Sequence, residues 1–203
     1  MYSNTLNVSY EDTISNDNDS IVKTKLDAWY KTNILDKGFA SYVADSGFCN
    51  DRSIASDSVG KGATSSENTY YSGRYRYYNK IPSYICQNKS NDLFTLIGND
   101  TGNSKLTYPI GMITVDEVMF SGYVNGYLNK MAYTHANVVY WTMTPVNYRV
   151  YDVAAINWYV SSSGSIIDTY MNSAKYIRPV INLKADTEIT VGIGTANDPF
   201  IIK

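Results

Sequence analysis

The chain is poor in the residue types on which catalysis and metal binding most often draw. Of its 203 residues one is histidine, two are cysteine and five are proline, and only 18% are charged. The lone His135 stands in Tyr133-Thr134-His135-Ala136-Asn137. A Ser-His-Asp or Cys-His site needs a histidine beside an activated nucleophile, and no GxSxG motif accompanies this one. A surface or hydrogen-bonding role is expected of it. Cys49 and Cys86 are too far apart in sequence for a CxxC motif and far from His135, which argues against zinc. No acid spacing of the EF-hand kind occurs. Gly60-Lys61 is followed by glycine where a phosphate loop needs Ser or Thr, and Ala55 stands where its leading glycine should be. No pair of acids is marked out for glycoside hydrolysis. Asp116 and Glu117 fall in the first turn of an expected helix, where acids favour the helix dipole anyway. Neither a metal nor a cofactor is expected.

Charge is scarce and balanced. The formal net charge is −2, without a basic or acidic block, so no electrostatic footprint for nucleic acid is present. No apolar run is long enough to cross a membrane, and Met1-Tyr2-Ser3-Asn4 lacks the basic-then-apolar order of a signal peptide. If the protein is exported, its targeting segment is expected outside this chain.

What the chain has in quantity is tyrosine, 20 residues of it, together with much Asn and Ser. Tyr supplies rigid contact area with a hydroxyl, and Asn and Ser supply adaptable hydrogen bonds, which is the chemistry of recognition surfaces. Tyr is also simply favoured in strands. At 44% apolar residues a chain of this length can bury a substantial core, and one domain over residues 1–203 is expected. The two cysteines can form one disulfide, as an exported protein would favour. Closing such a loop would add about 3–4 kcal/mol in the chain-entropy model. Two separate buried thiols are the alternative.

Periodicity and punctuation suggest an order of elements. Residues 1–19 read as irregular. Ser20 or Asp19 caps a helix expected over 21–35, with Ile21, Leu26, Trp29, Tyr30 and Ile34 near helical spacing and the Trp29 face on the core. A second helical piece is expected over 39–45. Residues 46–90 read as a long, mostly irregular loop region, which the Cys49–Cys86 bridge would pin. Its run of tyrosines and arginines over 70–78 either contacts a ligand or packs on its own domain. A short strand follows over 108–113. Thr114 and Glu117 form a capping box for a helix running to about Phe120 and stopping near Gly122. Strands are expected over 138–143, 154–160, 165–171, 177–183 and 199–202, with a hairpin turn at Ser161-Ser162-Ser163-Gly164. Helices early and an antiparallel sheet late argue for an α+β fold.

The second half carries an ordered set of motifs. They are Leu106-Thr107-Tyr108-Pro109-Ile110-Gly111-Met112-Ile113-Thr114-Val115-Asp116-Glu117, then Tyr140-Trp141-Thr142-Met143-Thr144-Pro145, then Ile177-Arg178-Pro179-Val180-Ile181-Asn182-Leu183, closing with Gly194-Thr195-Ala196-Asn197-Asp198-Pro199-Phe200-Ile201-Ile202. Upstream, Trp29-Tyr30-Lys31-Thr32-Asn33 and Phe48-Cys49-Asn50-Asp51-Arg52-Ser53 belong to the same pattern. The set resembles an uncharacterised family of gut Firmicutes and their mobile elements, related to the DUF6273 group, and covers nearly the whole chain. That family looks like the C-type lectin fold as used by formylglycine-generating-enzyme-like and retroelement-diversified proteins.

The resemblance implies a C-type lectin-like domain in which Trp141 and Trp158 are scaffold rather than ligand platforms. The chain departs from two branches of that fold. It has no redox cysteine pair after Cys86, and it has neither the Glu-Pro-Asn nor the Gln-Pro-Asp calcium motif. It also begins inside the family pattern, so the first strand of the fold is expected to be missing. The ligand-facing surface of the resembled fold would lie between the Trp141 and Arg178 motifs. Asn147, Tyr148, Arg149, Tyr151, Asn157, Tyr159, Tyr170 and Asn172 are the contacts this implies. A surface-displayed or secreted binding or adhesion module with an unknown protein or glycan partner is the expectation, with retroelement diversification as one form of it. A structural subunit of a pilus or phage-like fibre is the alternative, and an enzyme is not expected.

Overall fold

The computed structural model describes residues 8–195 and 197–202. Its helices are α1 (Tyr10–Ile14), α2 (Ile21–Tyr30), α3 (Ser72–Asn79), α4 (Lys89–Asp92) and α5 (Val115–Phe120). Its strands are β1 (Val43–Ala44), β2 (Phe48–Cys49), β3 (Thr69–Tyr70), β4 (Leu93–Phe94), β5 (Tyr140–Arg149), β6 (Ala154–Val160), β7 (Ile166–Tyr170), β8 (Asn182–Leu183), β9 (Ile189–Val191) and β10 (Ile201–Ile202). The architecture is α+β. Four strands form the main sheet in the order β3-β5-β6-β7, every neighbouring pair antiparallel. Three two-stranded ribbons, β1–β8, β2–β4 and β9–β10, surround it.

The strands β5 and β6 are buried on both faces, while β7 is largely exposed. Alternate residues of a strand point to opposite sides. On β5, Tyr140 joins one apolar cluster and Trp141 another; on β6, Ile156, Trp158 and Val160 join the first and Tyr159 packs against the second. The first cluster is closed by Val115, Val118 and Met119 of α5 and by Tyr77 of α3, and the second by Leu26, Tyr30 and Ile34. Trp141 and Trp158 are therefore core residues.

Local signals account for the ends of several elements. Ser20 Oγ accepts from Lys23 N and starts α2, which continues as a π-helical turn over Lys31–Leu35, so helix covers the expected span. The inward face, however, is the i, i+4, i+8 row Leu26, Tyr30 and Ile34, and it leaves Trp29 exposed. The capping box at α5 is formed: Thr114 Oγ1 accepts from Glu117 N and Glu117 Oε2 accepts from Thr114 N. The β6–β7 turn closes through Ser161 N donating to Ser165 O, with Gly164 at φ 85°.

Other expectations are corrected. Within 1–19, residues 1–7 lie outside the described residues, and Tyr10–Ile14 is a short helix capped by Ser9. Over 39–45 the chain makes only a 3₁₀ turn, Ala40–Tyr42, before entering β1, because β8 offers it a pairing edge. Residues 46–90 are mostly irregular, as expected, but they also hold two short strands, β2 and β3, helix α3 and the start of α4. Here α3 buries Gly73, Arg76 and Tyr77, a helical i, i+3, i+4 face hidden in the sequence by its Arg and Gly members. Gly73 is needed there, since a Cβ would stand 2.4 Å from Thr144 Cγ2 of β5. Residues 108–113 pass through the core without becoming a strand; only Gly111 bridges, to Val180. Of the stretch 177–183, only Asn182–Leu183 pairs as a strand. Finally, β5 runs on to Arg149, with register shifts on both sides of Pro145 where the ladder accommodates proline.

Candidate functional site: an acidic cleft beside the disulfide

Cys49 and Cys86 are joined as a disulfide with a Cα–Cα distance of 5.7 Å. The bridge fastens the segment Ser83–Cys86 to the end of β2. Between that segment, β2 and the first turn of α5 lies a cleft of about 160 Å³. Its lining includes Asp51, Arg76, Asp116 and Glu117, with Thr114 and Thr144 beside them. Every charged residue in the lining is thus an acid except Arg76.

Arg76 is buried and held in place from both sides. Its Nε and Nη2 donate to Asp116 Oδ1 and Oδ2 at 2.6 and 2.7 Å, a two-pronged pair. Asp116 Oδ1 also accepts from Ser83 N at 2.9 Å, tying the disulfide segment to α5. Burial works against the charge of Arg76, but the hydrogen bonds and charges of Asp116 and Asp51 together raise its pKa further and keep it protonated. A second pair is fully occupied elsewhere: Arg52 Nε donates to Asp92 Oδ1 at 2.8 Å, and its other nitrogens bond Ile14 O, Asn16 Oδ1 and Asn91 O.

Asp51 is different. It is only 4% exposed, both its carboxylate oxygens are closed off from solvent, and Arg76 Nη2 approaches its Oδ2 to 2.7 Å as an ion pair. Burial raises its pKa above the ordinary aspartate value, against the lowering pull of Arg76 and of nearby Ser53. Its backbone lies in the left-handed region at φ 37°, which Asp and Asn tolerate better than most residues. Tyr84, which lines the cleft, stacks its exposed ring on that of Phe120 with centroids 4.2 Å apart.

The eight nominated contacts do not form one surface. Asn147, Tyr148 and Asn157 are buried, a correction whose cause is the double covering of the sheet. Asn157 Nδ2 donates to Thr142 O at 2.8 Å, and Tyr148 packs edge-on against Tyr10 at 5.5 Å. Tyr159 is half-buried against Trp141, and Lys175 Nζ lies 4.1 Å above its ring. Arg149 and Tyr170 meet at one end of the sheet, where Arg149 Nη1 donates to the Tyr170 hydroxyl and that hydroxyl donates to Asp152 Oδ2, each at 2.8 Å. Tyr151 and Asn172 are exposed. His135 is half-buried, with Nδ1 3.4 Å from the Tyr123 hydroxyl.

Sequence reasoning missed Asp51 and Arg76 and read Asp116 and Glu117 as helix-end acids. Positions 51, 76 and 116 share no spacing, so only the fold brings them together. The one signal available was chemical: in a chain with few charges, Asp51-Arg52 follows Phe48-Cys49 closely and Arg76 stands inside a run of tyrosines.

The fold and site define an α+β domain with a disulfide-walled acidic cleft. No family model, curated protein or solved structure matches the chain. Among the described residues no group of His, Cys, Asp and Glu is arranged to hold a metal ion, and no helix is long and apolar enough to cross a membrane.

Proposed function

We propose that the chain is a ligand-binding or adhesion module, displayed on a cell surface or secreted, and that it recognises its protein or glycan partner through the acidic cleft. The observation that carries this reading is the cleft itself, about 160 Å³ in volume and lined by Asp51, Arg76, Asp116 and Glu117 together with Thr114, Thr144 and Tyr84. A cavity with a few convergent polar groups and a perturbed carboxyl is the usual form of a binding site. The disulfide favours an oxidising compartment. The C-type lectin-like fold and the kinship with the gut Firmicutes family belong to the same proposal. Their support is the motif order, the early α2, the late four-stranded antiparallel sheet and the core positions of Trp141 and Trp158. In a retroelement-diversified form, variation would fall on the exposed sheet end around Tyr151 and Asn172; a template repeat and a reverse transcriptase beside the gene would be its mark.

The test is a binding screen of the whole chain against arrays of glycans and host proteins, repeated with Asp51→Asn and Tyr84→Ala. A hit weakened by either variant supports the cleft as the site. A hit indifferent to both, or no hit at all, counts against it.

A second reading, a structural subunit of a pilus or phage-like fibre, draws support from the β9–β10 ribbon. Its Ile189, Val191 and Ile201 are exposed along a hairpin that pairs with no third strand among the described residues. Self-association of the purified chain is the result that would favour it.

A further inference from the structure

Phe48 and Met112 wall two cavities, the acidic cleft and a second one of about 90 Å³ between α2 and the β2–β4 ribbon. Val22 and Leu26 of α2, Phe94 of β4, Leu106, Ile110 and Met143 complete the apolar lining of the second. Its charges are paired or peripheral: Lys23 is held by Asp19 and Asp27, and the exposed Lys105 stands 3.9 Å from Asp17. Asn50 differs from the rest of the lining. It is only 8% exposed and its backbone N–H donates to Asp92 O, but its side-chain amide has no hydrogen-bond partner among the described residues. Unlike the carboxylate oxygens of Asp51, the amide atoms are not closed off from open space. The other cavity that Asn50 lines measures about 20 Å³, room for about one water, so a ligand that reaches this amide does so from the larger space. A nearly buried amide without a protein partner favours a ligand that supplies one.

Size and polarity narrow the class. A cavity of roughly 150 Å³ takes up benzene, with its six heavy atoms, so about 90 Å³ admits about four. The apolar lining excludes a charged group, which would lose its hydration there. The fit is a neutral group of about four heavy atoms with an apolar end, a donor and an acceptor, and the acetamido group, a methyl on a secondary amide, has that composition. The rim describes the rest of the ligand. Ser15, Asn16 and Lys105 also line an adjoining open groove of about 390 Å³, whose other members are Glu11, Asp17, Ser90, Asn91, Asn103 and one apolar residue, Ile14. Such a groove suits a body covered in hydroxyls better than an apolar peptide side chain.

We propose that this cavity binds the acetamido group of an N-acetylated sugar. The methyl enters among Leu26, Ile110 and Met112, the amide meets Asn50, and the sugar ring lies in the polar groove across Ser15 and Asn16. The site is separate from the acidic cleft and does not depend on the reading of the cleft.

Calorimetric titration of the whole chain with N-acetylglucosamine, glucose, N-butyrylglucosamine and Nε-acetyl-lysine methylamide tests the assignment. N-acetylglucosamine is expected to bind, and the other three to bind about 10-fold more weakly or not at all. Glucose lacks the amide, the butyryl chain exceeds the cavity, and the acetyl-lysine derivative lacks the hydroxylated ring. Asn50→Asp keeps the size of the side chain but removes its donor and brings a charge, and should weaken binding by about 10-fold or more. Val22→Phe fills the cavity from a half-buried position on α2; it should abolish binding, and it serves if Asn50→Asp does not fold. Tyr84→Ala, in the acidic cleft, should leave binding unchanged. Absence of N-acetylglucosamine binding, equal binding of glucose or the butyryl sugar, or an affinity unchanged in both Asn50→Asp and Val22→Phe overturns the inference. Equal binding of the acetyl-lysine derivative overturns the sugar, and loss of binding in Tyr84→Ala overturns the pocket in favour of the cleft. If N-acetylglucosamine binds as expected while no array hit responds to the cleft variants, this pocket stands and the reading of the cleft falls.

Discussion

At the scale of single residues, Asp51 joins stability to the site. Unfolded, its carboxyl titrates near 3.8; folded, burial raises that value. The folded state therefore holds the proton more tightly. The stability this group contributes is complete below the unfolded value and is lost as pH rises through the folded one. Asp51→Asn removes that loss, so the variant should lose less stability than the native chain as pH rises from about 4 in denaturant titrations. A native-like loss in the variant would show that the carboxyl is not strained by folding. The tyrosines make the complementary point. Tyr148 is buried against Tyr10, and Tyr151 is 84% exposed. Tyr148→Ala should cost about 3–5 kcal/mol, as aromatic truncations in cores do, and Tyr151→Ala should stay within about 0.5 kcal/mol. Equal melting temperatures for the two variants would contradict the buried placement. These two residues are three apart in sequence and alike in composition, so nothing in the residues themselves distinguished scaffold from surface.

At the scale of elements, the cleft depends on the disulfide and on the start of α5. The bridge holds Ser83–Cys86, and Ser83 N in turn donates to Asp116 of α5. Replacing both cysteines by serine should therefore cost about 2–5 kcal/mol. Melting should fall by about 2–4 °C for each kcal/mol lost in a chain of this size. It should also loosen the cleft wall, so amide exchange ought to quicken at 83–86 and at the first turn of α5 while the β5–β6 ladder stays protected. Uniform quickening would show that the bridge supports the fold as a whole and not this wall. The elements also show what a pattern reveals. The capping box was legible because it is local: Thr114 and Glu117 reach each other whatever surrounds them. So was the 154–160 strand, whose apolar and aromatic residues fit a pleated surface. Helix α3 was not. Its inward face is Gly73, Arg76 and Tyr77, and neither glycine nor arginine registers as core until Thr144 and Asp116 are in position to receive them.

At the scale of the whole molecule, the middle strands β5 and β6 have cores on both faces, and this decides where a surface can be. The α+β class was readable from the order of elements, since early helical and late strand periodicities survive in any arrangement. The double covering was not readable, and it is what removed Asn147 and Asn157 from the surface and turned Asn157 toward Thr142. A sheet so covered leaves recognition to its margins, namely the acidic cleft, the Arg149–Tyr170 end and the C-terminal ribbon. The ribbon separates the two readings of function. All three residues of β9 are exposed, so it presents Ile189 and Val191 without an apolar face of its own to hide them. An exposed apolar strand edge is a template for pairing with another chain unless the protein keeps it apart. Replacing Ile189 and Ile201 by lysine blocks such pairing and buries no new charge, since both sites are exposed. For a binding module, light scattering at high protein concentration should give the monomer mass with and without these substitutions, and binding at the cleft should be unchanged. Association of the native chain that the double substitution abolishes, at unchanged melting temperature, would move the weight to the fibre subunit, because the lysines then act on assembly and not on the fold.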